Sequence, residues 1–155
     1  MQVDELFDAW ERAWSGRDLA AFAPLCDREV RYEDPFTREP LAGSAAIAAH
    51  AKALWEAFPD ARLNTVGARL HDDRYACAPF RLLGTHRGPL GRFGPTGREL
   101  SVLVVVYAEL RDGRLLRVRA FLDAYGAAMD LGLLPRPGTP GERALVLLRG
   151  FGLRR

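Results

Sequence analysis

Over the first sixteen residues, apolar side chains recur at three- and four-residue steps: Val3, Leu6, Phe7, Trp10 and Trp14, with Asp4, Glu5, Asp8, Glu11 and Arg12 between them. That period predicts an amphipathic helix with an aromatic stripe, which Ser15-Gly16 ends. Asp18 is placed to cap a second short helix through Leu19, Phe22 and Leu25. The period then falls to two. Val30, Tyr32 and Asp34 alternate with Arg31 and Glu33, which predicts a strand over 29–34 and a turn at Pro35. Ser44 opens a third helix with Ile47, Ala51, Leu54, Trp55 and Phe58 on its apolar side, stopped at Pro59. His50 lies at the edge of that stripe and reads as a boundary residue.

From Ala61 the pattern becomes extended. Residues 61–71 read as a strand anchored imperfectly by Leu63 and Val66, followed by a polar turn at 71–74 that leaves His71 exposed. In the strand 75–86, Ala76, Ala78, Phe80, Leu82, Gly84 and His86 share a face, and Pro79 predicts an edge or a bulge. Residues 87–97, broken by Gly88-Pro89, Gly91, Gly94-Pro95 and Gly97, read as a loop. Glu99 to Leu110 is the strongest strand, with Val102, Val104, Val106, Ala108 and Leu110 on one side and Leu103, Val105, Tyr107 and Glu109 on the other. Both sides are largely apolar, so its middle is expected to be covered on both faces. Asp112-Gly113 signals a hairpin into a strand over 115–123, where Leu116, Val118, Ala120 and Leu122 lie opposite Arg117, Arg119, Phe121 and Asp123. A short helix over 127–131, a Pro/Gly linker over 135–141 and a last helix from Glu142 to Arg149 complete the chain. The expected organisation is one domain over 1–135 and a basic C-terminal tail over 136–155.

Composition narrows the function classes. At 155 residues with 48% hydrophobic and 27% charged residues, the chain has the means to bury a core. The net charge of +2 is unevenly spread: residues 136–155 hold five Arg against one Glu, and the rest holds 17 basic against 19 acidic residues. No basic stretch is interleaved with aromatics, so nucleic acid is not an expected partner. No leader-like segment or membrane-length apolar run occurs, so a soluble, cytoplasmic protein without a membrane partner is expected. Cys26 and Cys77 are isolated and read as free thiols. The three histidines are scattered and no phosphate-binding loop is present, so neither a metal nor a cofactor is expected.

Helices first and long antiparallel strands afterwards make an α+β pattern. Asp34 shares a face with Val30 and Tyr32; it either carries a carboxyl toward an apolar interior, where desolvation raises its pKa, or merely caps the turn before Pro35. The segment Tyr32-Glu33-Asp34-Pro35 with Glu39-Pro40-Leu41-Ala42-Gly43 resembles the part of ketosteroid isomerases that supplies their catalytic aspartate. Trp14-Ser15-Gly16-Arg17-Asp18-Leu19, Ala57-Phe58-Pro59-Asp60, Gly84-Thr85-His86-Arg87-Gly88-Pro89, Asp112-Gly113-Arg114 and Leu131-Gly132-Leu133-Leu134-Pro135 extend the likeness over most of residues 3–135. In this order they resemble SnoaL-like polyketide cyclases of the NTF2-like superfamily. The resemblance implies a cone: a curved, mostly antiparallel sheet wrapped around the N-terminal helices.

The resemblance also implies roles. Asp34 matches the proton-shuttling base of the isomerases. Their tyrosine donor corresponds to Trp10, and their carboxyl donor falls near Val104 to Val106, where no donor exists. Asp123 is the available counterpart of the aspartate that the cyclases use on their last strand, although its parity also fits a salt-bridged or capping group. His86 either donates to an oxyanion or relays a proton to Asp34, or else fixes the Gly/Pro loop. Trp10, Trp14, Tyr32, Trp55, Phe58 and Phe80 are candidate walls for a hydrophobic small molecule. The expected activity is cofactor-independent acid/base proton transfer of the cyclase or isomerase type on a hydrophobic carbonyl substrate. The alternative is a non-catalytic binding module for a hydrophobic ligand or partner protein. A homodimer through Leu103, Val105 and Tyr107 is expected in either case.

Overall fold

The computed structural model describes residues 2–148 of the chain. Helix α1 spans Val3–Gly16 and buries Leu6, Phe7, Trp10, Ala13 and Trp14, the face that the helical spacing marks. Its first turn is closed by the Gln2 amide, which donates to Glu5 Oε2 at 3.1 Å. It ends where Arg17 adopts a left-handed φ of 58°. From there the Arg17 guanidinium donates to the carbonyls of Pro59 and Ala61, tying the helix end to the segment after α2 (Ser44–Ala57). Asp18 caps the next segment by accepting from the Ala20 amide at 2.9 Å, but Leu19–Leu25 winds as a 3-10 helix with Pro24 inside it.

The strands are β1 (Cys26–Glu33), β2 (Leu41–Ala42), β3 (Arg62–Thr65), β4 (Leu70–His71), β5 (Tyr75–Thr85), β6 (Glu99–Arg111) and β7 (Arg114–Leu122). Among the described residues they form one sheet in the order β2-β1-β7-β6-β5-β3, with β4 also on β5. Every pair is antiparallel except β1 with β7. Short helix α3 (Ala124–Asp130) follows β7, and α4 (Pro140–Leu148) lies beyond the linker. The expected last residue of α4, Arg149, lies outside the described residues.

Two local features shape the sheet. The strand expected over 61–71 is two strands, β3 and β4, interrupted at 66–69, and Pro79 explains the break. Within a strand a residue's N–H and C=O point to the same side, and the Pro79 carbonyl accepts from the Val66 amide at 3.2 Å. Its missing donor therefore faces the gap between β3 and β4, while the β6 side stays paired with Val105 opposite Pro79. At the β6–β7 hairpin, Asp112 and Gly113 have φ of 52° and 70°, the consecutive positive angles of a tight hairpin turn.

The inner face of the sheet, the α1 stripe and the Ile47, Ala51 and Trp55 face of α2 make one core. Val104, Val106, Ala108, Val118 and Ala120 are buried there, with Trp10, Phe22 and Phe80 among the bulkiest enclosed side chains. The opposite face of β6 is uncovered: Leu103, Val105 and Tyr107 are 53%, 39% and 38% exposed, and Phe121, opposite Val105, is 56% exposed. Cover on both faces, expected from the sequence, is thus not provided by the described residues. Cys26 and Cys77 are free thiols, and burial pushes the Cys26 thiol up to about 12. No helix among the described residues is long and apolar enough to cross a membrane.

Candidate active site

Strand β1 sends Val30 and Tyr32 into the core, both almost fully buried. Asp34 follows on the same parity, just past the strand end, and its side chain is 6% exposed. The carboxyl is turned inward and also caps the turn. Asp34 Oδ1 accepts the amides of Phe36 at 2.8 Å and Thr37 at 3.1 Å, closing the turn. Asp34 Oδ2 accepts the Tyr32 hydroxyl at 2.9 Å and Nε2 of His50 at 2.7 Å. Four donors therefore occupy one carboxylate.

Those donors set its electrostatics. Desolvation is the largest single influence and pushes the Asp34 pKa up. The His50 hydrogen bond and charge, the Phe36 amide and the Tyr32 hydroxyl together outweigh it and leave the pKa below its ordinary value of 3.8. The raised pKa expected from an inward-facing carboxyl is overturned, because burial came with partners. Asp34 stays ionised near neutrality with its lone pairs engaged, which makes it a weak proton acceptor. The Tyr32 phenol moves the other way: burial, then the charge of Asp34, holds it well above its usual value, so it remains a donor.

His50 is the residue that the sequence reading set aside. It sits on α2, sixteen residues from Asp34, where the boundary position lets one ring edge reach the carboxylate. An ionised carboxylate only accepts, so the proton of this bond belongs to Nε2; in the neutral form of the ring the free lone pair is then on Nδ1. Nδ1 bonds no partner among the described residues and is not sealed in the interior, in a side chain 25% exposed. Edge-to-face packing on Trp14 at 6.4 Å and a tilted contact with Tyr32 at 5.8 Å fix the ring. Its only sequence signal was position: a histidine at the rim of an apolar helix face, packed near the strand that carries Asp34.

The remaining candidates lie elsewhere. His86 is fully buried; its Nδ1 accepts from the Thr96 amide at 3.3 Å and contacts Thr96 Oγ1 at 3.1 Å, and its ring packs on Phe58. It fixes the path of the loop over 87–97 and makes no hydrogen bond to Asp34. That loop is further pinned where the Arg87 and Gly88 amides both donate to the Ala57 carbonyl at 3.0 Å. A Cβ on Gly88 would stand 1.9 Å from the Glu56 carbonyl oxygen, so glycine is required there. Asp123 is exposed and caps α3, accepting from the Gly126 amide at 2.8 Å. Trp10, Trp14 and Tyr32 pack on one another at centroid distances of 5.7–6.1 Å, Phe80 packs on Phe7, and Trp55 Nε1 donates to the Trp14 carbonyl at 2.8 Å. These aromatics are buried together in the core.

The space beside Asp34 is a cleft of about 410 Å³ between the 33–40 turn and the end of β7. Asp34 and Ala120 lie at its inner side; Arg38, Glu39, Arg119 and Phe121 form the rim, and Arg119 is ion-paired with Glu33. Among the described residues, no three His, Cys, Asp or Glu side chains gather where they could hold a metal ion.

The family model for SnoaL-like polyketide cyclases matches residues 4–131, most of the chain and all of the sheet. The chain belongs to the SnoaL-like polyketide cyclase family. No curated protein matches it. Solved structures that resemble it include TsrD from Streptomyces laurentii, 20% identical over 85% of this chain and 96% of that one, with a TM-score of 0.76. A Jannaschia sp. CCS1 protein assigned to the SnoaL-like polyketide cyclases is 19% identical over 86% and 92%, TM-score 0.75. A Catenulispora acidiphila protein with a ketosteroid isomerase-like fold, solved with trimethylamine, is 15% identical over 90% and 100%, TM-score 0.72. At these identities the likeness is one of fold, and it identifies the sheet and helices as the NTF2-like α+β cone. Family membership supports a cyclase-type role in general terms for this SnoaL-like chain.

Proposed function

We propose that this SnoaL-like chain performs cofactor-independent proton transfer, of the cyclase or isomerase type, on a hydrophobic carbonyl compound. His50 is the base and Asp34 the group that orients and charges it. The observation that carries this reading is the pair of hydrogen bonds on Asp34 Oδ2, from His50 Nε2 at 2.7 Å and Tyr32 at 2.9 Å. They leave the carboxylate saturated and the second imidazole nitrogen open. His50 Nδ1 takes a proton from the carbon next to the carbonyl, and the C–H electron pair passes into the enolate. Asp34 balances the imidazolium that forms, as a buried carboxylate does for a catalytic histidine. The enolate carbon then either attacks a second carbonyl of the same molecule, whose π pair moves onto its oxygen and takes the proton from Nδ1, or is itself reprotonated at another carbon by the Nδ1–H; either path restores the neutral ring.

The packed aromatic interior supports a second reading. Val104, Val106, Val118 and Ala120 line the inner face without offering a side-chain donor to an enolate oxygen. A module that only binds a hydrophobic ligand or partner protein needs none. Solvent deuterium exchange at the acidic C–H of a panel of ketones, followed by NMR, separates the two. Exchange that is lost in His50→Gln at unchanged ligand affinity supports the enzyme. Exchange at the wild-type rate in His50→Gln removes the base, and no exchange in the wild type leaves the binding module.

Association of two copies fits either reading. The exposed Leu103, Val105, Tyr107 and Phe121 form one apolar strip on the outer sheet face. Val105→Glu is expected to convert dimer to monomer in sedimentation velocity; an unchanged sedimentation coefficient would remove this strip as the interface.

A further inference from the structure

We propose that Arg38 donates to the substrate's carbonyl oxygen and takes up the negative charge that proton removal places there. The inference rests on the proton-transfer reading of the site. When the carbon next to a carbonyl loses its proton, the C–H electron pair becomes a C–C π bond and the carbonyl π pair moves onto oxygen. A donor held at that oxygen lowers the barrier, and the inner face of the sheet offers none.

The polar side chains nearest His50 are already engaged or closed off. The Tyr32 hydroxyl donates to Asp34 Oδ2 at 2.9 Å. Trp14 Nε1 has no partner among the described residues, but it is sealed in the interior and does not line the cleft. Within the cleft, the side chains that carry N–H or O–H donors are Thr37, Arg38 and Arg119. Thr37 Oγ1 donates to the Asp34 carbonyl at 3.0 Å. Arg119 is ion-paired through Nε with Glu33, which balances its charge. Arg38 makes no ion pair and no side-chain hydrogen bond among the described residues, so its guanidinium donors are open.

The backbone of Arg38 is fixed although its guanidinium is free. Asp34 Oδ1 accepts the Phe36 and Thr37 amides at 2.8 and 3.1 Å, and the Asp34 amide donates to Thr37 Oγ1 at 3.1 Å. Pro35 and Pro40 restrict φ on either side, and Leu41 and Ala42 pair with β1. The residue that orients the base therefore also sets where Arg38 leaves the chain.

The charges of the cleft suit a substrate that arrives neutral. Arg38 and Arg119 are set against Glu33, Asp34 and Glu39, so no positive field draws an anion in beforehand. A guanidinium gains little from a neutral carbonyl and much from an enolate, and that difference is what speeds the chemical step. Pro35, Pro40, Ala120 and Phe121 supply apolar wall for the rest of the molecule.

The test pairs solvent deuterium exchange of the ketone panel with binding of 4-nitrophenol, whose coloured anion stands in for the enolate. Arg38→Gln is expected to lower kcat for exchange about 10²-fold with KM changed less than about threefold, and methylguanidinium in the buffer is expected to restore part of the rate. In wild type and in His50→Gln, bound 4-nitrophenol is expected to be more ionised than free 4-nitrophenol at the same pH; in Arg38→Gln it is not. Exchange at the wild-type rate in Arg38→Gln overturns the proposal and leaves the proton-transfer reading standing. Bound phenol no more ionised than free phenol in the wild type also overturns it. A rate loss in Arg38→Gln that methylguanidinium does not restore, with phenol ionisation unchanged, assigns Arg38 a structural role instead. A wild type that exchanges nothing yet ionises the phenol through Arg38 removes the reaction and keeps Arg38 as an oxyanion-binding residue.

Discussion

His50 and His86 each stand against an aromatic ring, and they illustrate opposite uses of one side chain. His86 is sealed, its Nδ1 held by Thr96 and its Nε2 buried without a partner. A proton that arrived there would have no substrate to leave for and no carboxylate to balance it. His50 has a buried carboxylate on one nitrogen and solvent access at the other. Strand parity correctly turned His86 inward, but inward is the wrong place for a proton carrier unless a path leads out. The edge of a helix face, which reads as structurally indifferent, can satisfy both needs.

The largest expected effect sets the two histidines against each other. His50→Gln should lower kcat by about 10²–10⁴-fold with little change in thermal midpoint. His86→Gln should do the reverse, retaining kcat while destabilising the fold by about 1–2 kcal/mol through the lost Thr96 anchor and Phe58 packing. An equal loss of kcat in both variants would break the contrast. Asp34→Asn comes next: it turns an acceptor-only group toward four donors and should cost about 2–3 kcal/mol in denaturant titration, together with most of the turnover. Tyr32→Phe removes one of the four donors, and about 1–2 kcal/mol with less than a tenfold loss in kcat is expected.

The smallest effect is one of pH. Because the folded-state pKa of Asp34 lies below its ordinary value, its contribution is full above the usual carboxylate range and is lost as pH falls through the folded value. The stability difference between wild type and Asp34→Asn should therefore be widest near neutrality and narrow in acid. A difference that grew on acidification would show that the carboxyl is instead held protonated.

Much of the scaffold was legible because its signals are local. The Trp10 and Trp14 stripe, the Val102 to Leu110 alternation and the Asp112-Gly113 turn each depend on neighbours a few residues away. The break between β3 and β4 was only half legible: Pro79 announced a defect, but which strand it would interrupt depended on which side its missing N–H faced. The site was legible at one pole. Asp34 could be singled out from its strand parity, whereas its partner comes from α2, and no short-range pattern encodes that contact. The same missing information misjudged the acidity of Asp34, since burial alone raises a carboxyl and only knowledge of its donors reverses the sign.

The account rests on Asp34 holding His50 with its proton on Nε2. The direct measurement is the ¹⁵N chemical shift pair of the His50 imidazole, at a pH where the ring is neutral. The account predicts a protonated Nε2 and an unprotonated Nδ1, and Asp34→Asn should mix the two tautomers. A proton on Nδ1 in the wild type would contradict it and leave this site without a base.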